Sequence, residues 1–368
     1  MSNEGTVPVD ETRTCLVTGA TSGIGKATAA RLAELGATVI AVARDRARGE
    51  QAANEIRQRA PHARVEVLSA DLSRLGQVRR LADQVRDRYD RLDVLVNNVG
   101  VAKFRLQLTP DGLGVTFATN HLGPFLLTNL LLDQLRHSAP ARVITVSSDR
   151  HKRQRSIPWD DLEPGHDCSY EASKLLNILF SYELARRLAG TGVTANCLSP
   201  GFVRTQLGRE ATGAFRVFLR LARPFQTSPE AGAQTPVYLA TSPAVAEVSG
   251  CYFEECKQAE SSALSRDPAA AKRLWRSAPN SAGSTRSCRR RDNRTWHLNS
   301  YGVRRVDAGA IRYHRPRCML MSARCTGLFI SIAATISASN CRTVACPLAQ
   351  SAEHIHGKEK PGTILLVR

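Results

Sequence analysis

Apolar residues nowhere run to the length of about 20 that a membrane-spanning helix needs, and even the apolar stretch 326–339 falls short. Residues 1–14 are polar and lack the apolar core of a secretion signal, so we expect a cytoplasmic protein without a transmembrane segment. Aromatic residues are only 5% of the chain, and none interleaves with the arginines of its most basic cluster, Arg286, Arg289, Arg290, Arg291 and Arg294. That weighs against a nucleic-acid surface, which stacks bases on aromatics set among cations. Zinc-ligand spacing is missing as well: the ten cysteines and nine histidines are scattered, so no metal is expected. Five cysteines in the first 280 residues, with no secretion signal, fit reduced thiols rather than a disulfide scaffold.

Acidic residues are also short, 33 against 51 basic for a net charge of +18, and arginine outnumbers lysine 43 to 8. The excess is uneven. Residues 281–368 hold 15 basic and 4 acidic side chains, +11, which leaves +7 for the first 280. Sustained periodicity stops at Arg276-Ser277-Ala278-Pro279-Asn280, and Cys288, Cys318, Cys325, Cys341 and Cys346 lie beyond it. We therefore divide the chain into an α/β unit, 1–280, and an irregular basic tail, 281–368. An arginine-, serine- and cysteine-rich tail is what a shifted reading frame yields in a GC-rich gene. A disordered basic extension is the plainer alternative, and a nucleic-acid-binding tail is a third.

Within 1–280, short apolar runs alternate with helix-like stretches, the pattern of a parallel sheet with helices between its strands. The first run, Cys15-Leu16-Val17, enters Thr18-Gly19-Ala20-Thr21-Ser22-Gly23-Ile24-Gly25 and then a helical stretch, 26–35. Gly19 permits a tight turn, Gly23 lets a pyrophosphate approach the backbone, and Gly25 lets the helix pack close to the strand. The helix start offers free N–H groups to phosphate. Further on, Tyr170-Glu171-Ala172-Ser173-Lys174 puts a phenol and an ammonium four residues apart on one helix face. Alone, this spacing is an ordinary surface pair. A phenol with a pKa of ~10 becomes a usable acid or base only when nearby positive charge stabilises its phenolate, and Lys174 is placed to supply that charge.

With Asn97-Asn98-Val99-Gly100, Asn120, Ser147-Ser148, Tyr170/Lys174 and Pro200-Gly201 following in order, residues 13–275 resemble a short-chain dehydrogenase/reductase. The resemblance is to the retinol dehydrogenase-like branch, through Asn120-His121-Leu122-Gly123-Pro124-Phe125-Leu126-Leu127-Thr128, Ser173-Lys174-Leu175-Leu176-Asn177 and Glu183-Leu184-Ala185-Arg186-Arg187-Leu188. It implies a single doubly wound parallel-sheet Rossmann domain that binds a nicotinamide dinucleotide. Valine at position 99 stands where the family usually has alanine, a change that tightens the turn slightly.

The resemblance also implies roles. Thr18, Gly19, Ser22, Gly23, Ile24 and Gly25 would form the phosphate turn, with Asn98, Gly100, Pro200, Gly201 and Thr205 around the nicotinamide and Asp71 and Leu72 at the adenine. After strand 38–42 an NAD enzyme normally shows an acidic residue for the ribose 2′-hydroxyl, but here the strand ends Ala43-Arg44. A guanidinium suits a 2′-phosphate, so NADP(H) is preferred; an exposed arginine beside Asp45 is the alternative, and NAD(H) stays possible. Asp71 also reads as a loop aspartate capping the next helix. Ser148 would orient a carbonyl oxygen, Tyr170 would exchange its proton, Lys174 would lower the tyrosine pKa and bind the ribose, and Asn120 would hold a water behind Lys174. Ser147 competes with Ser148 for its role, and His121 reads as structural. Residues 149–169, with Arg150, His151, Lys152, Arg153 and Arg155, read as a solvated loop.

We thus expect an NADP(H)-dependent oxidoreductase that interconverts a ketone or aldehyde with its alcohol. Residues 214–225 alternate apolar positions with arginines and read as a lid over a lipophilic or polycyclic substrate, as a core helix with a basic face, or as a membrane-surface contact. Ketoreduction in antibiotic tailoring is one variant. The rival is a non-catalytic NADP(H)-binding regulator whose tail binds nucleic acid. The helix containing Tyr170 packs either internally or across a homodimer.

Overall fold

The structure, a computed structural model, describes residues 13–203 and 226–277. Strand β1 (Thr14–Thr18) is buried at every position, and its side chains alternate between two cores. Leu16 belongs to one hydrophobic cluster and Cys15 and Val17 to another. Strand β2 (Thr38–Ala43) sorts likewise, Ile40 and Val42 to the first cluster and Val39 and Ala41 to the second. A period of two that finds apolar partners on both faces is the mark of a parallel sheet covered by helices on each side.

The remaining strands are β3 (Arg64–Ser69), β4 (Val94–Asn97), β5 (Ala141–Val146), β6 (Val193–Ser199), β7 (Tyr252–Glu254) and β8 (Lys257–Ala259), in the sheet order β3-β2-β1-β4-β5-β6-β7-β8. All neighbours pair in parallel except β7 with β8. Helices α1 (Gly23–Glu34) and α2 (Arg46–Arg59) cover the second cluster, whose members include Ala29, Leu32 and Ile56. Helix α3 (Leu75–Arg88) covers the first through Val78, Leu81 and Val85. Strand order reverses between β1 and β4, and ligands of open α/β sheets bind at the carboxyl ends there.

Asn120 lies in a π turn, Ala118–Leu122, through which α4 (Val115–Phe117) passes into α5 (Gly123–His137). Pro124 has no N–H to give to the residue four before it, which is Asn120, and the Gly123 N–H reaches back five residues to the Ala118 carbonyl. A Cβ at Gly123 would stand 2.3 Å from the Leu72 carbonyl oxygen, so glycine is what lets this turn lie against the segment after β3.

Helix α6 (Tyr170–Arg187) is buried along most of its length and packs internally. Helix α9 (Pro268–Ser277) covers it, with Trp275 5.0 Å from Phe125 and 5.9 Å from Phe180 between ring centroids and Arg187 over the Trp275 ring. Two short helices, α7 (Pro229–Gly232) and α8 (Gln234–Thr241), precede β7. The β7–β8 hairpin turns through Glu255 and Cys256 at φ 49° and 62°, an arrangement normally built from Asn-Gly. The Cys256 N–H donates to Thr235 Oγ1 at 3.1 Å.

Candidate active site

The segment after β1 folds into a cradle because two glycines take left-handed backbone, Gly19 at φ 69° and Gly23 at φ 56°. Gly25 packs against the turn itself rather than along the strand: a Cβ there would meet Gly19 O at 2.4 Å and Asn98 Nδ2 at 2.3 Å. Ser22 occupies the N-cap of α1 without a side-chain cap bond, which leaves its hydroxyl and the first N–H groups of the helix for an anion. Ile24 is buried beneath the cradle. Thr18 does a different job from the expected one. Its hydroxyl donates to the Val96 carbonyl and accepts from the N–H groups of Asn98 and Val99, at 2.9 and 3.1 Å. It therefore fastens the loop after β4 to β1, as Asn98 Nδ2 does by donating to the Thr18 carbonyl at 2.8 Å.

At the end of β2, Arg44 is exposed, whereas Asp45 caps α2 by accepting from the Arg48 N–H at 3.2 Å. The neighbouring carboxylate is thus committed to the helix, and the guanidinium is free to face a ligand. Asp71 accepts from Ser73 N and Ser73 Oγ, at 3.0 and 2.7 Å, and so holds its own loop ahead of α3. Leu72 is buried. Beyond β6, Pro200 is half-buried and Gly201 turns at φ 79°. Thr205 and the stretch 214–225 lie outside the described residues, as does 281–368.

The reactive groups meet at the carboxyl ends of β4 and β5. Ser169 caps α6 and so starts the helix at Tyr170. Lys174, one turn on, buries its side chain and donates from Nζ to the Val146 carbonyl at 3.0 Å. Gly100 faces this ammonium, and a Cβ there would come within 3.4 Å of Nζ. Burial pulls Lys174 down to about 8. Asn120 accepts from the Val101 N–H at 2.7 Å and donates from Nδ2 to Val101 O and Ser173 Oγ. It locks the loop after β4 to α6.

Ser148 donates from Oγ to Asp149 Oδ1 at 3.0 Å and accepts from the Arg150 N–H. The environment of the Tyr170 phenol is set first by its burial. Burial pushes the phenol up to about 12, with the Ser148 hydroxyl working against that rise and the charges of Glu171, Arg150 and Asp149 adding smaller effects. The lysine Nζ lies 5.5 Å from the tyrosine ring centroid and is turned to Val146. Ser147 is excluded from competition with Ser148, because its hydroxyl donates to the Lys174 carbonyl at 2.7 Å. His121 is structural: it sits among Phe117, Phe125 and Phe180 with Nδ1 on Asn177 Oδ1, and burial lowers its pKa to about 4.

Residues 149–169 are largely solvated, as their basic composition suggests, but the segment is anchored from within. His151, Leu162 and Cys168 are buried, and the Arg273 guanidinium lies 4.0 Å from the Trp159 ring centroid. The outward Lys152, Arg153 and Arg155 carried the sequence signal. Among the described residues no group of three or more His, Cys, Asp or Glu side chains could hold a metal ion, and no helix is long and apolar enough to cross a membrane.

The sequence profile described as short chain dehydrogenase matches residues 13–214. The chain is 45% identical over 283 residues to human retinol dehydrogenase 14, covering 72% of this chain and 84% of that protein. It is 40% identical over 276 residues to human retinol dehydrogenase 13, covering 72% and 82%. Among solved structures, an uncharacterized protein from Mycobacterium paratuberculosis is 34% identical with a TM-score of 0.58, covering 74% of this chain and 93% of that one. The RhlG/NADP active-site complex of Pseudomonas aeruginosa is 30% identical with a TM-score of 0.54, covering 66% and 93%. Taken with the glycine cradle at the strand-order reversal and the meeting of Ser148, Tyr170 and Lys174, these matches make the chain a retinol dehydrogenase-like member of the short-chain dehydrogenase/reductase family.

Proposed function

We propose that this protein is an NADP(H)-dependent oxidoreductase that interconverts a lipophilic ketone or aldehyde and its alcohol. The observation that carries the proposal is the convergence of a serine hydroxyl, a tyrosine phenol and a lysine ammonium beside the glycine turn. The residues fit a dinucleotide. The uncapped start of α1 and the left-handed Gly19 and Gly23 suit a pyrophosphate, Gly100 leaves room beside Lys174, and exposed Arg44 suits a 2′-phosphate. When bound, the nicotinamide supplies or accepts a hydride.

The chain's own groups handle the oxygen. Ser148 turns its hydroxyl from Asp149 to the carbonyl oxygen and holds it by the phenol, where developing negative charge is stabilised. Tyr170 passes its proton to that oxygen. With its pKa pushed up to about 12, the phenol is protonated at neutral pH, the state that carbonyl reduction requires. Lys174 holds positive charge under the site, and Asn120 keeps the loop carrying Gly100 and Val101 against α6. The rival regulator needs none of this arrangement, and we do not favour it.

A lipophilic substrate is supported by exposed Phe104, Leu106 and Leu108 after β4 and Phe202 after β6, all at the carboxyl ends of the strands. We place the enzyme in the cytoplasm, which recovery of its activity in a membrane pellet would overturn. The decisive assay follows NADPH and NADH oxidation across polyunsaturated aldehydes, polycyclic ketones and small polar carbonyls. Faster turnover of the lipophilic set with NADPH is expected. Absence of turnover with either cofactor, in either direction, would sink the proposal.

A further inference from the structure

His151 takes no part in the chemistry above, yet it is 0% exposed within a basic 3-10 turn, Asp149–Arg153. Each ring nitrogen has one partner. Nδ1 lies 2.6 Å from the Ser148 carbonyl oxygen, and Nε2 lies 3.0 Å from the Ser262 backbone nitrogen. A carbonyl can only accept and an amide N–H can only donate, so the partners fix the tautomer, with the proton on Nδ1 and the lone pair on Nε2. The ring also rests edge-on to Tyr252 at 5.2 Å between centroids. Tyr252 is held in turn by its hydroxyl, which donates to Glu254 at 2.8 Å.

We propose that His151 is a positioning residue that clamps the Ser148 backbone and thereby fixes the Ser148 hydroxyl against the Tyr170 phenol. This rests on the roles given to Ser148 and Tyr170 above. The clamp is closed at both ends. The His151 N–H also donates to the Ser148 carbonyl, at 3.2 Å, so one residue holds that oxygen twice. On the far side, Ser262 caps the turn Ala263–Arg266. Its neighbour Ser261 shares a hydrogen bond of 2.8 Å with the Tyr182 hydroxyl on α6. The path therefore runs from the serine at the end of β5, through the imidazole, to the helix that carries Tyr170 and Lys174. Any change in it alters the spacing of the two groups that must grip one oxygen.

Two substitutions separate positioning from mere support. In His151→Asn the amide can still donate to the Ser148 carbonyl but cannot reach Ser262. In His151→Gln the amide oxygen can accept from Ser262, and the donor toward Ser148 is lost. We expect NADPH affinity, read by fluorescence titration, to be unchanged in both. We expect kcat for the best carbonyl substrate to fall about 10- to 100-fold in the glutamine variant and clearly less in the asparagine variant, because displacement of about 1 Å costs up to about 100-fold. Wild-type kcat in His151→Gln, or losses that track thermal stability regardless of which bond is kept, would overturn the proposal.

Should the histidine variants fail to fold, Ser262→Pro removes the amide donor at a residue whose φ of −62° already suits proline. Lower kcat with unchanged NADPH affinity supports the clamp, and unchanged kcat refutes it. Ser148→Ala and Tyr170→Phe are assayed alongside. Full activity in those two would defeat the assigned chemistry itself, whereas their inactivity beside a fully active His151→Gln would defeat only the clamp.

Discussion

Gly25→Ala adds one methyl group at the tightest point of the cradle. Its Cβ would stand 2.3 Å from Asn98 Nδ2 and 2.4 Å from Gly19 O, about 1 Å inside ordinary contact, at which dispersion is favourable only from about 3.5 Å outward. Neither neighbour yields freely. Asn98 Nδ2 is bonded to the Thr18 carbonyl at 2.8 Å, and Gly19 is held in a left-handed turn. Overpacking costs about 1–3 kcal/mol, and loss of the asparagine bond about 0.5–1.5 kcal/mol. The better helix propensity of alanine offsets up to about 1 kcal/mol. We expect a net cost of about 1–3 kcal/mol, read either as a lower urea midpoint or, where the strain stays within the cradle, as a Kd for NADPH raised about 5- to 150-fold. Gly76→Ala is the matched control. Gly76 lies in the first turn of α3 with nothing within 4 Å of its added Cβ, so the same methyl should leave binding alone and stabilise by up to about 1 kcal/mol. Unchanged binding and stability in Gly25→Ala, or both variants moving in the same direction, would refute this packing argument.

Arg44→Ala should raise the KM for NADPH at least 10-fold and leave that for NADH nearly unchanged in steady-state assays; a parallel change in both would remove the 2′-phosphate role. His121 bears on stability at low pH. Its folded pKa of about 4 lies below the ordinary value of 6.5, so the unfolded chain takes up the proton first and stability falls as pH drops from about 6.5 toward 4. By pH 5 the loss should reach about 2 kcal/mol, measured as the shift in urea unfolding free energy from pH 7, and His121→Gln should flatten that limb.

Strands β1 and β2 and the local settings of Gly19, Gly23, Ser148, Tyr170 and Lys174 were legible because each depends on local chemistry: an apolar run of strand length, a glycine where φ must be positive, a polar group at a strand end or a helix start. What escaped depends on contacts between distant segments. His151 looked solvated because Arg150, Lys152, Arg153 and Arg155 surround it, although of these five residues only Lys152, Arg153 and Arg155 are exposed. Thr18 looked like a ligand for phosphate, but its partners lie about 80 residues away on the loop after β4. The hairpin at Glu255 and Cys256 carries no Asn-Gly signal, and its turn leans on Thr235. The π turn was within reach, since Gly123-Pro124 places an N–H-less residue four beyond Asn120. Nor does sequence spacing show that Lys174 Nζ turns to Val146 or that burial pushes the Tyr170 phenol up.

Tyr170→Phe tests the central claim most directly, because it removes one oxygen and keeps the ring that packs at the start of α6. With the fold intact and NADPH bound at wild-type affinity, carbonyl reduction should fall about 100- to 10,000-fold, the loss of a positioned proton donor. Turnover at the wild-type rate by the NADPH-bound variant would contradict the account.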